Sequence, residues 1–300
     1  MSLNIHPRET APDVFRERME IAEKLEKLLA NDKNWYEFPT PQDYRDARRD
    51  GTNGFKKPVL SEHARLVNCG FVIGSNAGYD TYLTRLSNEL GITLASVEYR
   101  LAPEHPHPAG YHDAIDAALF ALSTSGAREL GGPLRVLGGE SAGAWFSVGV
   151  ALALRDHHGI DVRSQLSAIC AGYGIFDLTY TPSCLSHKRN IVLSSDLTRT
   201  FMEATFGHIP VSERKNAEIS PLYADLRGLP PAQFLVGDVE PLLDDSVFMA
   251  AKWAQAGNEV DLHVVSAACH AFTLIPMGSA TEEGVQSLVS FVKNRHMVKE

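Results

Sequence analysis

The chain has 300 residues, enough for one large domain with a substantial core, and its 44% hydrophobic and 22% charged residues are ordinary for a globular protein. A net charge of -9 at pH 7 excludes a nucleic-acid role, because phosphate binding needs a basic face and none is visible. The N-terminus carries no signal-like apolar stretch and no run of about 18 apolar residues occurs anywhere, so a soluble, cytoplasmic protein acting on a small neutral or weakly charged molecule is expected.

Residues 13–30 place Phe15, Met19, Ala22, Leu25, Leu28 and Leu29 at helical spacing, with Glu, Lys and Arg on the outer face. Residues 33–66 are polar and turn-rich and contain no convincing strand. Short apolar runs then alternate with helical patterns. Strands are expected at 71–73, 92–98, 134–137, 166–171, 233–236 and 260–265, and helices at 79–90, 111–123, 142–156, 195–206, 243–256 and 281–294. Strands rich in Val, Ile and Leu, each followed by a helix, indicate a mostly parallel α/β sheet covered on both faces. The stretch 178–227 breaks the rhythm and suits a helical insertion over one edge of that sheet.

The segment around Gly139-Glu140-Ser141-Ala142-Gly143 carries the chemistry. A serine on a sharp strand-to-helix turn projects its Oγ beyond the sheet, flanking glycines permit the tight backbone, and the Ala142 amide faces a developing oxyanion. Chance alone supplies about 0.1 GxSxG matches in a chain this long, but the strand before it and the helix after it are the context the motif needs. Such a serine needs a base, and the base needs a carboxylate to hold its tautomer. Of 12 histidines, His270 alone follows the last strand in a loop near Ser141; His263 lies within that strand, and His157, His158, His187 and His296 sit in polar, solvent-facing surroundings. Asp238, Glu240, Asp244 and Asp245 all follow the 233–236 strand. Asp244 and Asp245 suit the first turn of a helix, and Asp238 and Glu240 remain equal candidates for the acid.

Cys69, Cys170, Cys184 and Cys269 form no CxxC pair and show no metal-ligand spacing. Cys170 and Cys269 lie in apolar runs where a buried, reduced thiol is expected. His105 and His107, with prolines between and after them and no third ligand, do not read as a metal site.

Taken together, residues 70–75, the segment 96–114 (SVEYRLAPEHPHPAGYHDA), the 139–143 motif, the block 220–245 and Cys269-His270-Ala271-Phe272 resemble the hormone-sensitive-lipase family of α/β-hydrolases. The resemblance spans about 70–275. It implies an α/β-hydrolase fold with a small helical cap, formed by residues 1–45 and by an insertion at about 178–215 in a catalytic domain of 46–300. It also implies a cofactor-free serine carboxylesterase acting on short- to medium-chain esters. The family's acid precedes Pro-Leu, which selects Glu240, although an Asp is usual there; Glu140 likewise stands where Asp or Thr is usual. Arg100, Glu104 and Asp113 are implied to brace the loop beneath the site. A homodimer is compatible with all of this.

The chain departs from the family at one place. Where His-Gly-Gly-Gly normally supplies oxyanion amides, it has Val67-Asn68-Cys69-Gly70, and the segment before is too short to carry the sheet's first strands. The resemblance thus leaves an oxyanion hole of Cys69, Gly70 and Ala142, or a loss of about 10²–10³ in turnover for a missing donor. The competing reading is a catalytically impaired small-ligand-binding protein on the same fold. Amidase, lactonase or acyltransferase chemistry would use the same residues. A shortened sheet also implies an exposed edge and reduced stability.

Overall fold

Five short segments become parallel strands in a computed structural model that describes residues 3–6, 10–50, 52–53, 71–73 and 79–296. They are β1 (Leu3–His6), β2 (Val136–Glu140), β3 (Ala168–Gly172), β4 (Ala232–Gly237) and β5 (Val260–Val265), ordered β1-β5-β4-β3-β2 in one sheet. Every residue of β3 and β4 is buried, as befits central strands covered on both faces. Eleven helices are described: α1 (Pro12–Leu29), α2 (Pro41–Arg49), α3 (Asp80–Leu90), α4 (Ala109–Leu122), α5 (Thr124–Glu129), α6 (Ala142–Asp156), α7 (Val162–Gln165), α8 (Pro182–Ser186), α9 (Ser195–Phe206), α10 (Leu243–Gln255) and α11 (Ser279–His296).

Alternation along β3 divides the core into two layers. Ala168 and Cys170 pack against Phe291 and Val292 of α11, and α11 in turn holds α3 through Val285 and Val289 against Tyr82 and Leu86. Ile169 and Ala171 point the other way, into the main core with α6 and α10. Helix α6 is apolar almost all round, so it is buried from Ala144 to Leu154. Trp145 at its start is fully buried and donates Nε1–H to the Ile219 carbonyl at 2.9 Å.

Several expected elements take a different form. Residues 92–98 carry no regular secondary structure and do not join the sheet, although Ile92, Leu94 and Ser96 are half-buried and Thr93, Ala95 and Val97 exposed. Alternation favours an extended chain but does not supply a ladder partner, and β2 is the last strand of the sheet among the described residues. Residues 71–73 form a turn ending in a single bridge residue at Ile73. Strand β1 was not foreseen: its four residues are too short a run to mark a strand and all are exposed, and it is held by the open edge of β5, with Asn4 Nδ2–H donated to Asp261 Oδ1 at 2.8 Å. The strandless reading of 33–66 meets α2, whose start is a capping box between Thr40 and Asp43; residues 54–66 lie outside the described residues.

The buried face of α1 is rotated from the expected one. Ala22, Leu25 and Leu29 are buried, but so is Arg18, while Phe15 and Leu28 are exposed. Arg18 is drawn inward by three acceptors: the Ser266 carbonyl at 3.1 Å, Ser279 Oγ at 3.0 Å and Glu283 Oε2 at 2.7 Å. Glu283 also meets His263 Nε2 at 3.0 Å, a structural role for that histidine. Farther along α1, Glu26 accepts from Arg189 Nη2–H at 2.7 Å and from the Asn190 amide at 3.1 Å, which ties α1 to the insertion that contains α8 and α9. In the insertion, His187 is half-buried rather than solvent-facing, and its carbonyl accepts from the Ser195 hydroxyl at the start of α9 at 3.1 Å.

Candidate active site

Strand β2 ends at Glu140, and α6 begins at Ala142, so Ser141 is the whole of the turn between them. Its φ of 56° and ψ of -116° lie outside the comfortable regions for an L-residue, a conformation that costs on the order of 1–3 kcal/mol and is held by its surroundings. The Ser141 amide donates to the Gly172 carbonyl at 2.8 Å. Gly139 is dictated by the same bend: a Cβ there would stand 2.4 Å from the Gly143 carbonyl carbon. At the N-terminus of α6 the first amides have no partner within the helix, and the helix dipole adds partial positive charge there. Ala142, the first residue of α6, is almost fully buried.

His270 comes from the loop after β5. Its Nε2 lies 2.9 Å from Ser141 Oγ, and its Nδ1 lies 2.5 Å from Glu240 Oε2. A carboxylate only accepts, so it fixes the proton on Nδ1 and leaves Nε2 free to accept from the serine hydroxyl. His270 and Glu240 are both buried. Burial pushes the Glu240 carboxyl above its ordinary range, and the neighbouring imidazole pulls against that rise. Glu240 Oε1 is buried with no hydrogen-bond partner among the described residues, so the imidazole is the carboxyl's one polar contact there.

The two loops bearing acid and base are built as one unit. At Gly237 a Cβ would meet the Ala268 carbonyl oxygen at 2.1 Å, so only glycine lets the chain after β4 lie against the chain after β5. Val239 N–H then donates to the Ala268 carbonyl at 3.0 Å. Asp238, the other candidate acid, accepts from the Ala267 amide at 2.7 Å and shapes the histidine loop instead of meeting the imidazole. Asp244 accepts from the Ser183 amide, and Asp245 from the Phe176 and Asp177 amides and the Thr181 hydroxyl; both reach from the first turn of α10 to anchor the chain after β3. These roles exceed the dipole effect expected for them.

The remaining candidates separate cleanly. Arg100 forks onto Asp113, and Arg45 binds Glu104 together with the Val72 and Ala102 carbonyls, a brace as the resemblance implied. Arg45 was the unforeseen member, lying in a segment without a readable pattern. His107 stacks among Tyr111, Trp145 and Phe206, and burial lowers it to about 4, so it is a neutral packing group. Among the described residues no group of His, Cys, Asp and Glu is arranged to hold a metal. Cys170, Cys184 and Cys269 are buried free thiols pushed up to about 12. The expected oxyanion residues Cys69 and Gly70, with Val67 and Asn68, lie outside the described residues, as does the fourth cysteine's thiol.

Known proteins resemble this chain in sequence and in fold. A family model described as alpha/beta hydrolase fold matches residues 68–274. An ethyl acetate hydrolase of Pseudomonas putida is 28% identical over 75% of this chain and 69% of its own length. The carboxylesterase NlhH of Mycobacterium tuberculosis is 32% identical over 65% of this chain and 62% of its own length. The chain thus spans somewhat under or over two thirds of these curated relatives. A hormone-sensitive lipase from a metagenome library superposes with a TM-score of 0.79 at 22% identity, over 93% of this chain and 98% of that one, a likeness of fold. No helix among the described residues is long and apolar enough to cross a membrane.

Proposed function

This chain belongs to the alpha/beta hydrolase fold family, and on that basis we propose that it is a serine carboxylesterase with Ser141 as nucleophile, His270 as general base and Glu240 as orienting acid. The observation that carries the reading is the continuous hydrogen-bonded chain from Glu240 through His270 to a serine held at positive φ on a strand-to-helix bend. As Ser141 Oγ attacks the ester carbonyl carbon, its proton passes to His270 Nε2, and Glu240 stabilises the imidazolium that forms. The Ala142 amide receives the developing oxyanion, with Cys69 and Gly70 as its proposed companions. His270 then returns the proton to the leaving alcohol. Water, activated by the same imidazole, releases the acid from the acyl-enzyme.

The substrates proposed are esters of short to medium acyl chains, in keeping with what the relatives' names describe. Helix α1 and the 178–215 insertion, joined by Glu26, form the proposed cap. The test is hydrolysis of p-nitrophenyl acetate, butyrate and octanoate, with Ser141→Ala as control and a fluorophosphonate probe as an independent label. Folded protein without Ser141-dependent turnover or labelling defeats the proposal. A second reading, a small-ligand-binding protein, is favoured by Val67-Asn68-Cys69-Gly70 in place of the glycine-rich oxyanion segment. Ligand-induced stabilisation without probe labelling would support it.

A further inference from the structure

Glu140 immediately precedes the nucleophile and has no part in the chemistry above. As the last residue of β2 it pairs with Gly172 of β3, and a Cβ at Gly172 would lie 3.4 Å from Glu140 Cγ, so the side chain runs over that glycine. Tyr82 of α3, buried, donates its hydroxyl to Glu140 Oε1 at 2.7 Å. The Thr273 hydroxyl neighbours the Tyr82 hydroxyl and lies 2.7 Å from the Tyr173 hydroxyl. Tyr173 is fully buried at a φ of 36°, and its ring meets the His270 ring edge to face, centroids 5.0 Å apart. Thr273 is itself three residues after His270.

These contacts form a closed circuit around the serine and histidine. A carboxylate has no proton to give, so Tyr82 donates to Glu140, and the Thr273 hydroxyl links Tyr82 to the Tyr173 hydroxyl. The far end of this relay is the ring against which His270 rests, and the near end is bonded covalently to Ser141. Burial raises the Glu140 carboxyl, and the Tyr82 hydrogen bond pulls the other way.

Building on the esterase reading, we propose that Glu140 is a positioning residue: through Tyr82, Thr273 and Tyr173 it locks the histidine loop in register with the serine bend. It acts without touching substrate. Its effect therefore falls on kcat, which depends on the Ser141–His270 geometry, and not on KM.

The test compares Tyr82→Phe, Thr273→Val, Glu140→Ala, Glu140→Gln and the double variant Glu140→Ala/Tyr82→Phe on a short p-nitrophenyl ester, with thermal unfolding alongside. Tyr82→Phe and Thr273→Val keep volume and so preserve the fold if Glu140→Ala does not. Expected are a loss of roughly tenfold in kcat for Tyr82→Phe with KM within about twofold, recovery of most of the Glu140→Ala loss by Gln, which still accepts from Tyr82, and a double variant no worse than the poorer single one. The His270 ring nitrogens, followed by ¹⁵N NMR and assigned by difference against His270→Gln, should shift in Tyr82→Phe. Unchanged kcat and ring resonances in Tyr82→Phe, additive losses in the double variant, or Gln no better than Ala would each overturn the proposal. A parent protein without Ser141-dependent turnover would sink the esterase reading alone, since the ring resonances still report whether the relay holds His270.

Discussion

The two glycines that flank the nucleophile have opposite sensitivities, although the motif presents them alike. At Gly139 a Cβ would lie 2.4, 2.5 and 2.7 Å from the carbonyl carbon, oxygen and Cα of Gly143, all backbone atoms, against an ordinary contact of 3.4 Å or more. Relief requires the end of β2 and the first turn of α6 to separate by about 1 Å, and Ser141 is the residue between them. The Ser141 Oγ–His270 Nε2 distance of 2.9 Å would open to nearly 4 Å, past hydrogen-bonding reach. A displacement of that size costs about 10² in rate, and overpacking costs about 1–3 kcal/mol of stability. At Gly143 a Cβ meets nothing within 4 Å, and alanine is the better helix former by up to about 1 kcal/mol. Gly139→Ala is therefore expected to lose about 100-fold in kcat and to unfold at lower temperature, while Gly143→Ala keeps kcat within about threefold and keeps its Tm. Steady-state hydrolysis and scanning calorimetry on the two proteins decide the matter. Parental kcat and Tm in Gly139→Ala would refute the steric account of the bend.

Three other outcomes are expected. Glu240→Gln keeps the shape but offers His270 no negative charge and an N–H where an acceptor is needed, so kcat should fall on the order of 10³–10⁴-fold at unchanged KM; Glu240→Asp, with the carboxylate drawn back by one methylene, should fall between Gln and parent, and equal activity of Gln and parent would remove Glu240 from the mechanism. Burial pushes Asp245 up to about 7 from 3.8, so the folded state favours its protonated form, and that stabilisation is full below about pH 4 and lost as the pH rises towards 7. Asp245→Asn still accepts the Phe176 and Asp177 amides through its carbonyl, and its Tm should decline less than the parent's between pH 5 and 7.5; parallel declines would contradict the assignment. Arg18→Ala leaves the Ser266 carbonyl without its donor and Glu283 held by His263 but no longer by the guanidinium, a loss of about 2–3 kcal/mol tempered by the partial exposure of Glu283. Urea denaturation measures it, and a loss under 0.5 kcal/mol in that titration would mean that the Arg18 contacts do not hold α1.

What the sequence determined by itself is local. The bend at Ser141 is legible because five consecutive residues, a strand before them and an apolar helix after them contain the whole device. The bounds of α6, α9 and β5 follow from the same short-range periodicity, and the Thr40-Pro41-Gln42-Asp43 capping box was there to be read. His270 was reachable from its place after the last strand. What only the tertiary structure decided concerns partners far apart in the chain. Asp238 and Glu240 follow the same strand, and only the close approach of Gly237 to Ala268 turns one towards the histidine loop's backbone and the other towards its imidazole. Arg18 is buried because Ser266, Ser279 and Glu283 converge on it, Leu3–His6 is a strand because β5 has an open edge, and 92–98 is not one because no described strand lies beyond β2. Glu140 and Tyr82 stand 58 positions apart. Periodicity and turn chemistry act over one or two turns of chain, whereas the pairing of a buried polar group depends on which distant element supplies its partner, and that is fixed only when the layers pack.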